Sequence, residues 1–200
     1  RISGRSNGGL RAHAVSHRIM IMPAGASCEH YFHMTKSDEL VQIAVKTGEI
    51  LLDRGWRLAA VESCTGGWIA KTVTSLSGSS GWFECGLVTY SNASKESLVG
   101  VPRSMISRHG AVSAEVAEAM VAGVLERTDA RAAVSVTGIA GPGGGSDEKP
   151  VGTVYLAWQF PGIETVSERF HFHGNRDEVR RQSVATALSE LVRLIQAASA

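Results

Sequence analysis

The chain has 200 residues, 44% of them hydrophobic and 20% charged, a composition typical of a globular domain with one core. Its net charge of +1 excludes the strongly basic footprint of nucleic-acid-binding proteins, so we predict no nucleic-acid partner. No apolar run approaches the roughly 20 residues that span a bilayer, so we predict no membrane partner. Three cysteines without close pairs favour a reducing compartment over a disulfide framework.

The first 33 residues differ from the rest of the chain. They contain arginines, serines and glycines, and no acidic residue precedes Glu29. This composition cannot form a packed core by itself. Because a helix start follows Met34 at once, we predict a disordered leader or upstream extension over residues 1–33 and a folded domain over residues 34–200.

The predicted elements after this point alternate between helices and strands, and the last two strands form a hairpin around Pro161–Gly162. The predicted helices are 37–53, 68–76, 92–99, 102–108 and 113–126, the last of these capped by Ser113. A final helix, capped by Asn175 or Asp177, is predicted to end at about 195. The predicted strands are 56–61, 82–90, 132–136, 151–160 and 165–173. This order predicts an α/β fold, a single three-layer α/β/α domain with a mixed, partly parallel sheet.

The turn Glu62–Gly67, between the first strand and the second helix, is the first candidate site. A hydroxyl at the carboxyl end of a strand faces the ligand crevice of an open sheet, which makes Ser63 a candidate nucleophile. The helix start offers N–H groups near Gly66 and Gly67 to an oxyanion or a phosphate. A plain helix cap is the alternative interpretation. Cys64 is either a rival nucleophile or a small buried apolar residue.

Lys95 is the second candidate, near the start of the helix that follows the second strand. The helix dipole disfavours a positive charge there, and a desolvated lysine can be neutral enough to act as a general base. Tyr90, where that strand ends, could relay a proton or orient the hydroxyl. The alternatives are a solvated lysine and a core tyrosine, and a Ser63–Lys95 pair has to be assembled by the fold.

A glycine-rich loop and two arginines are candidate anion sites. The loop Thr137–Gly145 follows a predicted strand and suits an anion nest, although neither nucleotide-binding fingerprint matches it. Arg176 and Arg180 are four residues apart on one helix face, where paired guanidinium groups suit a phosphate or carboxylate. The alternatives are a flexible surface loop and a solvated charged face.

Together these segments resemble the C-terminal domain of competence/damage-inducible protein A (CinA), most closely the stand-alone nicotinamide-nucleotide amidases of that family. The matching segments are AAVESCTGGW at 59–68, GSSGWFECGLVTYSN at 78–92 with Lys95, HGAVS at 109–113, VSVTGIAGPGGGSDEKPVGTV at 134–154 and GNRDEVRR at 174–181. The resemblance covers about residues 36–197. Several linked motifs in order are far more specific than any one of them alone.

The resemblance implies hydrolysis of nicotinamide mononucleotide to nicotinate mononucleotide and ammonia, in pyridine nucleotide salvage. It implies Ser63 as nucleophile and Lys95 as base, with Tyr90 assisting. The residues that it places near the ligand are Thr65, Gly66, Thr137, Gly138, Gly141, Lys149 and Arg176. It also implies a small pyridine mononucleotide as partner, no metal or other cofactor, a cytoplasmic setting and a homodimer. The alternative function is a catalytically silent nucleotide- or phosphate-binding module.

Overall fold

The computed structural model describes residues 36–198, in which helices cover both faces of a five-stranded sheet. The helices are α1 (Lys36–Asp53), α2 (Trp68–Thr74), α3 (Asn92–Val99), α4 (Arg103–His109), α5 (Ala114–Leu125) and α6 (Arg176–Ala197), with a 3-10 turn at Ser79–Gly81. The strands are β1 (Leu58–Glu62), β2 (Phe83–Val88), β3 (Ala132–Gly138), β4 (Thr153–Gln159) and β5 (Val166–His171). The predicted element order is confirmed, with ends that differ by a few residues. The predicted leader lies outside the described residues.

The strand order of the sheet is β2-β1-β3-β4-β5. β1 runs parallel to both of its neighbours, whereas the β3–β4 and β4–β5 pairs are antiparallel. The hairpin predicted around Pro161–Gly162 joins β4 to β5. The prediction of a mixed, partly parallel sheet is therefore confirmed, and the parallel part contains the three strands that lead to the candidate site.

Apolar side chains pack on both faces of the sheet. Leu58 and Ala60 of β1 pack toward α1, α2 and α6, while Ala59 and Val61 pack toward α3, α4 and α5. Successive side chains of a strand point to opposite faces, and all of β1 is buried, so its near-continuous apolar sequence fits a strand with helices on both sides. The predicted three-layer α/β/α architecture is confirmed. No helix among residues 36–198 is long and apolar enough to cross a membrane.

Side-chain caps begin α3, α5 and α6. Ser91 accepts from the Ser94 N–H, and the Ser94 hydroxyl accepts from the Ser91 N–H, which forms a capping box at the start of α3. Ser113 caps α5 as predicted. Of the two predicted caps for α6, Asn175 is the one used, and it accepts from the Asp177 N–H.

Trp158 and Val166 give a paired test of the core. They face each other in register across β4 and β5, but Trp158 is 1% exposed and Val166 38% exposed. The Trp158 indole also donates to Ala187 O at 2.8 Å, which links the sheet to α6. We expect Trp158→Ala to lower the free energy of unfolding by about 3–5 kcal/mol, because it leaves a cavity. Val166→Ala should cost about 0.5 kcal/mol or less.

Urea unfolding followed by circular dichroism measures both variants. Equal losses of stability for the two variants would contradict this placement of the core.

Candidate active site

Three strand ends meet at one edge of the sheet. Because β2, β1 and β3 are parallel neighbours, their carboxyl ends lie side by side. Ser63 directly follows β1, Lys95 lies in the first turns of the helix that follows β2, and Thr137 lies near the end of β3. This is the position at which open α/β sheets bind their ligands.

Ser63 and Lys95, 32 residues apart in sequence, are in direct contact. Lys95 Nζ donates to Ser63 Oγ at 3.0 Å and to the carbonyl oxygen of Thr89 at 2.7 Å. Both side chains are buried, Lys95 being 1% exposed. The Thr89 N–H in turn donates to Glu62 O at 2.8 Å, so the ends of β1 and β2 stay joined beside this contact. The fold therefore assembles the pair that the sequence analysis required.

Burial lowers the pKa of Lys95 below its ordinary value of 10.5, and the smaller opposing effect comes from Cys64. None of the ion pairs formed within residues 36–198 includes Lys95. Desolvation of an ammonium without an acidic partner favours the neutral amine. The neutral amine can accept the Ser63 hydroxyl proton across the same contact, which is the requirement for a general base.

A crevice of about 280 Å³ contains the Ser63–Lys95 pair. The predicted site residues that line it are Ser63, Tyr90, Lys95, Thr137, Gly138, Gly141 and Arg176. Asn92, Ala111 and Val112 also line it, although the sequence analysis assigned them no role. These three residues lie in segments 78–92 and 109–113, which carry the family resemblance. Their place in these segments was the signal from which a role at the site could have been predicted. Within residues 36–198, no group of three or more His, Cys, Asp or Glu is placed to hold a metal ion.

Arg176 and Tyr90 meet at the rim of this crevice. Arg176 Nη1 donates to Gly141 O at 2.7 Å, and Nη2 donates to the Tyr90 hydroxyl at 3.2 Å. Tyr90 is 62% exposed, and no hydrogen bond in the described part of the chain joins it to Ser63 or Lys95. The structure thus places Tyr90 beside a cation at the crevice mouth and forms no contact through which it would assist the nucleophile directly.

A model of the CinA C-terminal domain matches residues 40–195. The chain belongs to the CinA C-terminal domain family. It is 49% identical over 158 residues to the nicotinamide-nucleotide amidohydrolase PncC of Escherichia coli K12, covering 79% of this chain and 95% of that protein. PncC of Pseudomonas putida is 50% identical over 157 residues, covering 78% and 98%.

Solved structures of CinA-type proteins share the fold. The competence/damage inducible protein CihA of Agrobacterium tumefaciens gives a TM-score of 0.76 at 39% identity, with 78% of this chain and 95% of that chain covered. The competence damage-inducible protein A of Klebsiella pneumoniae gives 0.76 at 34% identity, with 78% and 97% covered.

At the start of α2 the Glu62 carboxylate binds N–H groups that the sequence analysis offered to a ligand, and Gly66 and Gly67 line a separate pocket. The buried Glu62 carboxylate accepts from the N–H groups of Gly67, Ile69 and Ala70 at 2.9–3.1 Å. The Gly66 N–H donates to Ser63 O at 3.1 Å. Neither glycine lines the crevice around Ser63 and Lys95. The role of Glu62 was not predicted from the sequence. The available signal was an acidic residue between a buried strand and a helix start.

Arg180 does not form the predicted phosphate clamp with Arg176. Its guanidinium donates to the carbonyl oxygens of Cys64 and Thr65, at 3.1 and 2.7 Å, and it does not line the crevice. Thr65 is fully buried and does not line the crevice either. The two arginines are one helical turn apart, but Arg176 lines the crevice and Arg180 does not.

Lys149 binds the main chain of segment 109–113, and two residues of this segment, Ala111 and Val112, line the crevice. Its Nζ donates to Val112 O at 2.7 Å and to His109 O at 3.2 Å, and it is not among the residues that line the crevice. Thr137 Oγ1 donates to Ala111 O at 2.7 Å. The prediction of Lys149 as a ligand contact is therefore corrected, because main-chain carbonyls of segment 109–113 already hold its ammonium group.

Cys64 is poorly suited to be the nucleophile. Its thiol is 6% exposed, and burial raises its pKa to about 12, with the charge of Glu62 adding to the effect. The thiolate is the reactive form of cysteine, and at neutral pH a thiol with this pKa is almost entirely protonated. The structure therefore favours Ser63 over Cys64.

The lowered pKa of Lys95 predicts a pH-dependent contribution to stability. Between its folded-state pKa and 10.5, the unfolded chain binds more protons, so the free energy of unfolding rises with pH across that window. Lys95→Met removes this titration. The wild-type stability minus that of Lys95→Met should therefore increase with pH, by up to about 1.4 kcal/mol per pH unit.

Urea unfolding at a series of pH values measures this difference. Lys46→Met, which changes an exposed lysine of α1, is the control for the loss of one amine. A difference between wild type and Lys95→Met that stays constant with pH would show that burial does not perturb the Lys95 amine.

Proposed function

We propose that this protein hydrolyses the carboxamide of nicotinamide mononucleotide, with Ser63 as nucleophile and Lys95 as general base. The observation that carries the proposal is the 3.0 Å contact between Lys95 Nζ and Ser63 Oγ in a crevice, with the lysine buried and its pKa lowered. The choice of substrate rests on the relatives named nicotinamide-nucleotide amidohydrolase. The products are nicotinate mononucleotide and ammonia.

The reaction proceeds in two halves. Ser63 Oγ attacks the carboxamide carbon as its proton passes to the neutral Lys95 amine. The tetrahedral intermediate collapses, the C–N bond breaks, and Lys95 Nζ returns that proton to the leaving nitrogen, which departs as ammonia. Water then attacks the Ser63 ester, again losing a proton to Lys95. The Ser63 oxygen leaves with a proton from the same amine, which restores both groups.

The oxyanion needs donors other than those at the start of α2, because Glu62 already occupies them. The N–H groups of Cys64 and Thr65 follow the nucleophile directly. Within residues 36–198 they donate to no carbonyl or side-chain oxygen in the hydrogen bonds formed. We assign the Cys64 N–H to the developing oxyanion, because Cys64 lines the crevice whereas Thr65 is fully buried and does not. Donors that are already fixed in place stabilise charge in a transition state most effectively.

The phosphate binds beside Arg176, which lines the crevice. The guanidinium has five N–H donors, of which contacts with Gly141 O and the Tyr90 hydroxyl use two. The glycine-rich loop, including Gly141, Gly143 and Gly144, forms the neighbouring wall and lets a ligand approach the backbone closely. Binding the phosphate there holds the amide against Ser63 through remote binding energy.

The resemblance also predicts a cytoplasmic homodimer that acts in pyridine nucleotide salvage. These three statements stay predictions. They do not enter the proposed mechanism, because the Ser63–Lys95 contact lies within one chain.

Ser63→Ala tests the nucleophile. We expect kcat for ammonia release from nicotinamide mononucleotide to fall by about 10⁴-fold or more, because no other group can form the acyl-enzyme. Affinity for the product, nicotinate mononucleotide, should change little, since the phosphate contacts remain. Coupled ammonia detection and isothermal titration calorimetry measure the two quantities.

Cys64→Ala is the matched control for Ser63→Ala, because it removes the rival nucleophile next to it. It should retain most of the wild-type kcat. Near-normal turnover by Ser63→Ala would exclude the proposed nucleophile. Product binding without ammonia release by the wild type would instead favour a catalytically silent binding module.

Arg176→Ala tests the phosphate site. Hydrogen bonds to a charged group contribute about 1.5–3 kcal/mol, so KM for nicotinamide mononucleotide should rise by about 10- to 100-fold, with a smaller change in kcat. For nicotinamide riboside, which lacks the phosphate, the same variant should keep the wild-type kcat/KM. Steady-state kinetics on both substrates measure this selectivity.

Arg193→Ala is the control for Arg176→Ala, because Arg193 lies farther along α6 in an exposed pair with Glu190. An equal loss of kcat/KM on the nucleotide and the riboside would show that Arg176 does not recognise the phosphate.

A further inference from the structure

Arg180 holds the carbonyl side of the nucleophile turn, which we define as residues 63–67. Its Nε–H donates to Cys64 O at 3.1 Å, and Nη2 donates to Thr65 O at 2.7 Å. Its third nitrogen, Nη1, lies 3.8 Å from the Asp177 carboxylate. Each nitrogen of the guanidinium therefore has a partner within this chain, and two of them bind successive carbonyls of the turn.

The planar guanidinium also lies against the ring of Trp68, with its central carbon 5.2 Å from the ring centroid. A cation stacked on an aromatic face is restricted in the directions its N–H groups can take. A Cβ added at Gly66 would lie 3.3 Å from Arg180 Nη2, and Gly66 has a φ of +63°. The guanidinium thus packs on the turn at a position that favours glycine.

The amide side of the same turn is held by Glu62. Its carboxylate binds three N–H groups at the start of α2, and the Ser63 N–H donates to Val136 O at 2.9 Å. Neither Glu62 nor Arg180 lines the crevice. The two charged side chains therefore hold the turn from outside the crevice that contains Ser63 and Lys95.

We propose that Arg180 is a positioning residue that orients the peptide units directly after Ser63. By binding the Cys64 and Thr65 carbonyls, Arg180 fixes the two peptide units that follow the Cys64 N–H. This inference rests on the proposed function, since the Cys64 N–H is the donor assigned to the oxyanion.

Arg176 and Arg180 thus have separate tasks, although they are one helical turn apart. Arg176 lies in the crevice and holds substrate, so its loss should appear in KM. Arg180 contacts the nucleophile turn, Trp68 and Asp177 and does not line the crevice, so its loss should appear in kcat. A displacement of about 1 Å in a catalytic group can lower a rate by about 100-fold.

Arg180→Ala, compared with Arg176→Ala and the Arg193→Ala control, tests the proposal in the full chain. We expect kcat on nicotinamide mononucleotide to fall by about 10- to 100-fold, with KM within about twofold of wild type. Guanidinium chloride at about 50 mM, far below denaturing concentrations, should restore part of the lost kcat by occupying the vacated position. It should leave the kcat of the Arg193→Ala control unchanged.

The readouts separate a positioning role from the other roles. A rise in KM with kcat retained would show that Arg180 contacts substrate and would overturn the proposal, as would unchanged values of both constants. A fall in kcat that guanidinium leaves unchanged in the folded variant would also overturn it. If Arg180→Ala does not fold, Arg180→Lys carries the same comparison, since a single ammonium cannot bind two carbonyls in the fork geometry.

Wild-type activity distinguishes this proposal from the proposed function. A wild-type protein that releases no ammonia from nicotinamide mononucleotide would refute the proposed function. An active wild type with an unaffected Arg180→Ala variant would refute the positioning role alone.

Discussion

The buried contact between Lys95 and Ser63 is the constraint that the rest of the fold satisfies. An amine removed from water without an acidic partner is unfavourable in its charged form, so it needs a rigid surrounding and an acceptor. The Thr89 carbonyl supplies the acceptor, and the capping box of α3 fixes the helix that carries the lysine. The two apolar layers stabilise the domain as a whole. The domain can therefore tolerate the unfavourable burial of the Lys95 amine at the site.

Charged side chains at the starts of α2 and α6 have different functions near the crevice. Glu62 neutralises the positive end of α2 by binding its free N–H groups. Arg176, at the start of α6, faces the glycine loop across the crevice mouth. In the proposed function, the anionic end of the substrate is attracted to Arg176, and its uncharged portion extends toward the Ser63 hydroxyl. This separation fits a substrate that has a phosphate at one end and an amide at the other.

The sequence predicted the element order because buried strands, glycine turns and caps such as Ser113 are local patterns. It also predicted which hydroxyl and which amine to consider, although their convergence depends on the parallel pairing of β1 with its neighbours. It predicted the wrong partners for Lys149 and Arg180, and for the N–H group of Gly67. In each case a group suited to a ligand is bound by a nearer group of the same chain, a carbonyl or a carboxylate. Such internal competition is decided by three-dimensional distance, which residue type and spacing do not contain.

The antiparallel direction of β4 has a practical consequence. Val154, near its start, pairs with Gly138 at the crevice edge, whereas Gln159, at its end, pairs with Ala133 near the opposite edge of the sheet. The exposed turn at Gly162 therefore lies a full strand length from Ser63. A fluorophore, affinity tag or surface linker attached there would leave the crevice mouth open, which suits immobilised assays and optical measurements of substrate exchange.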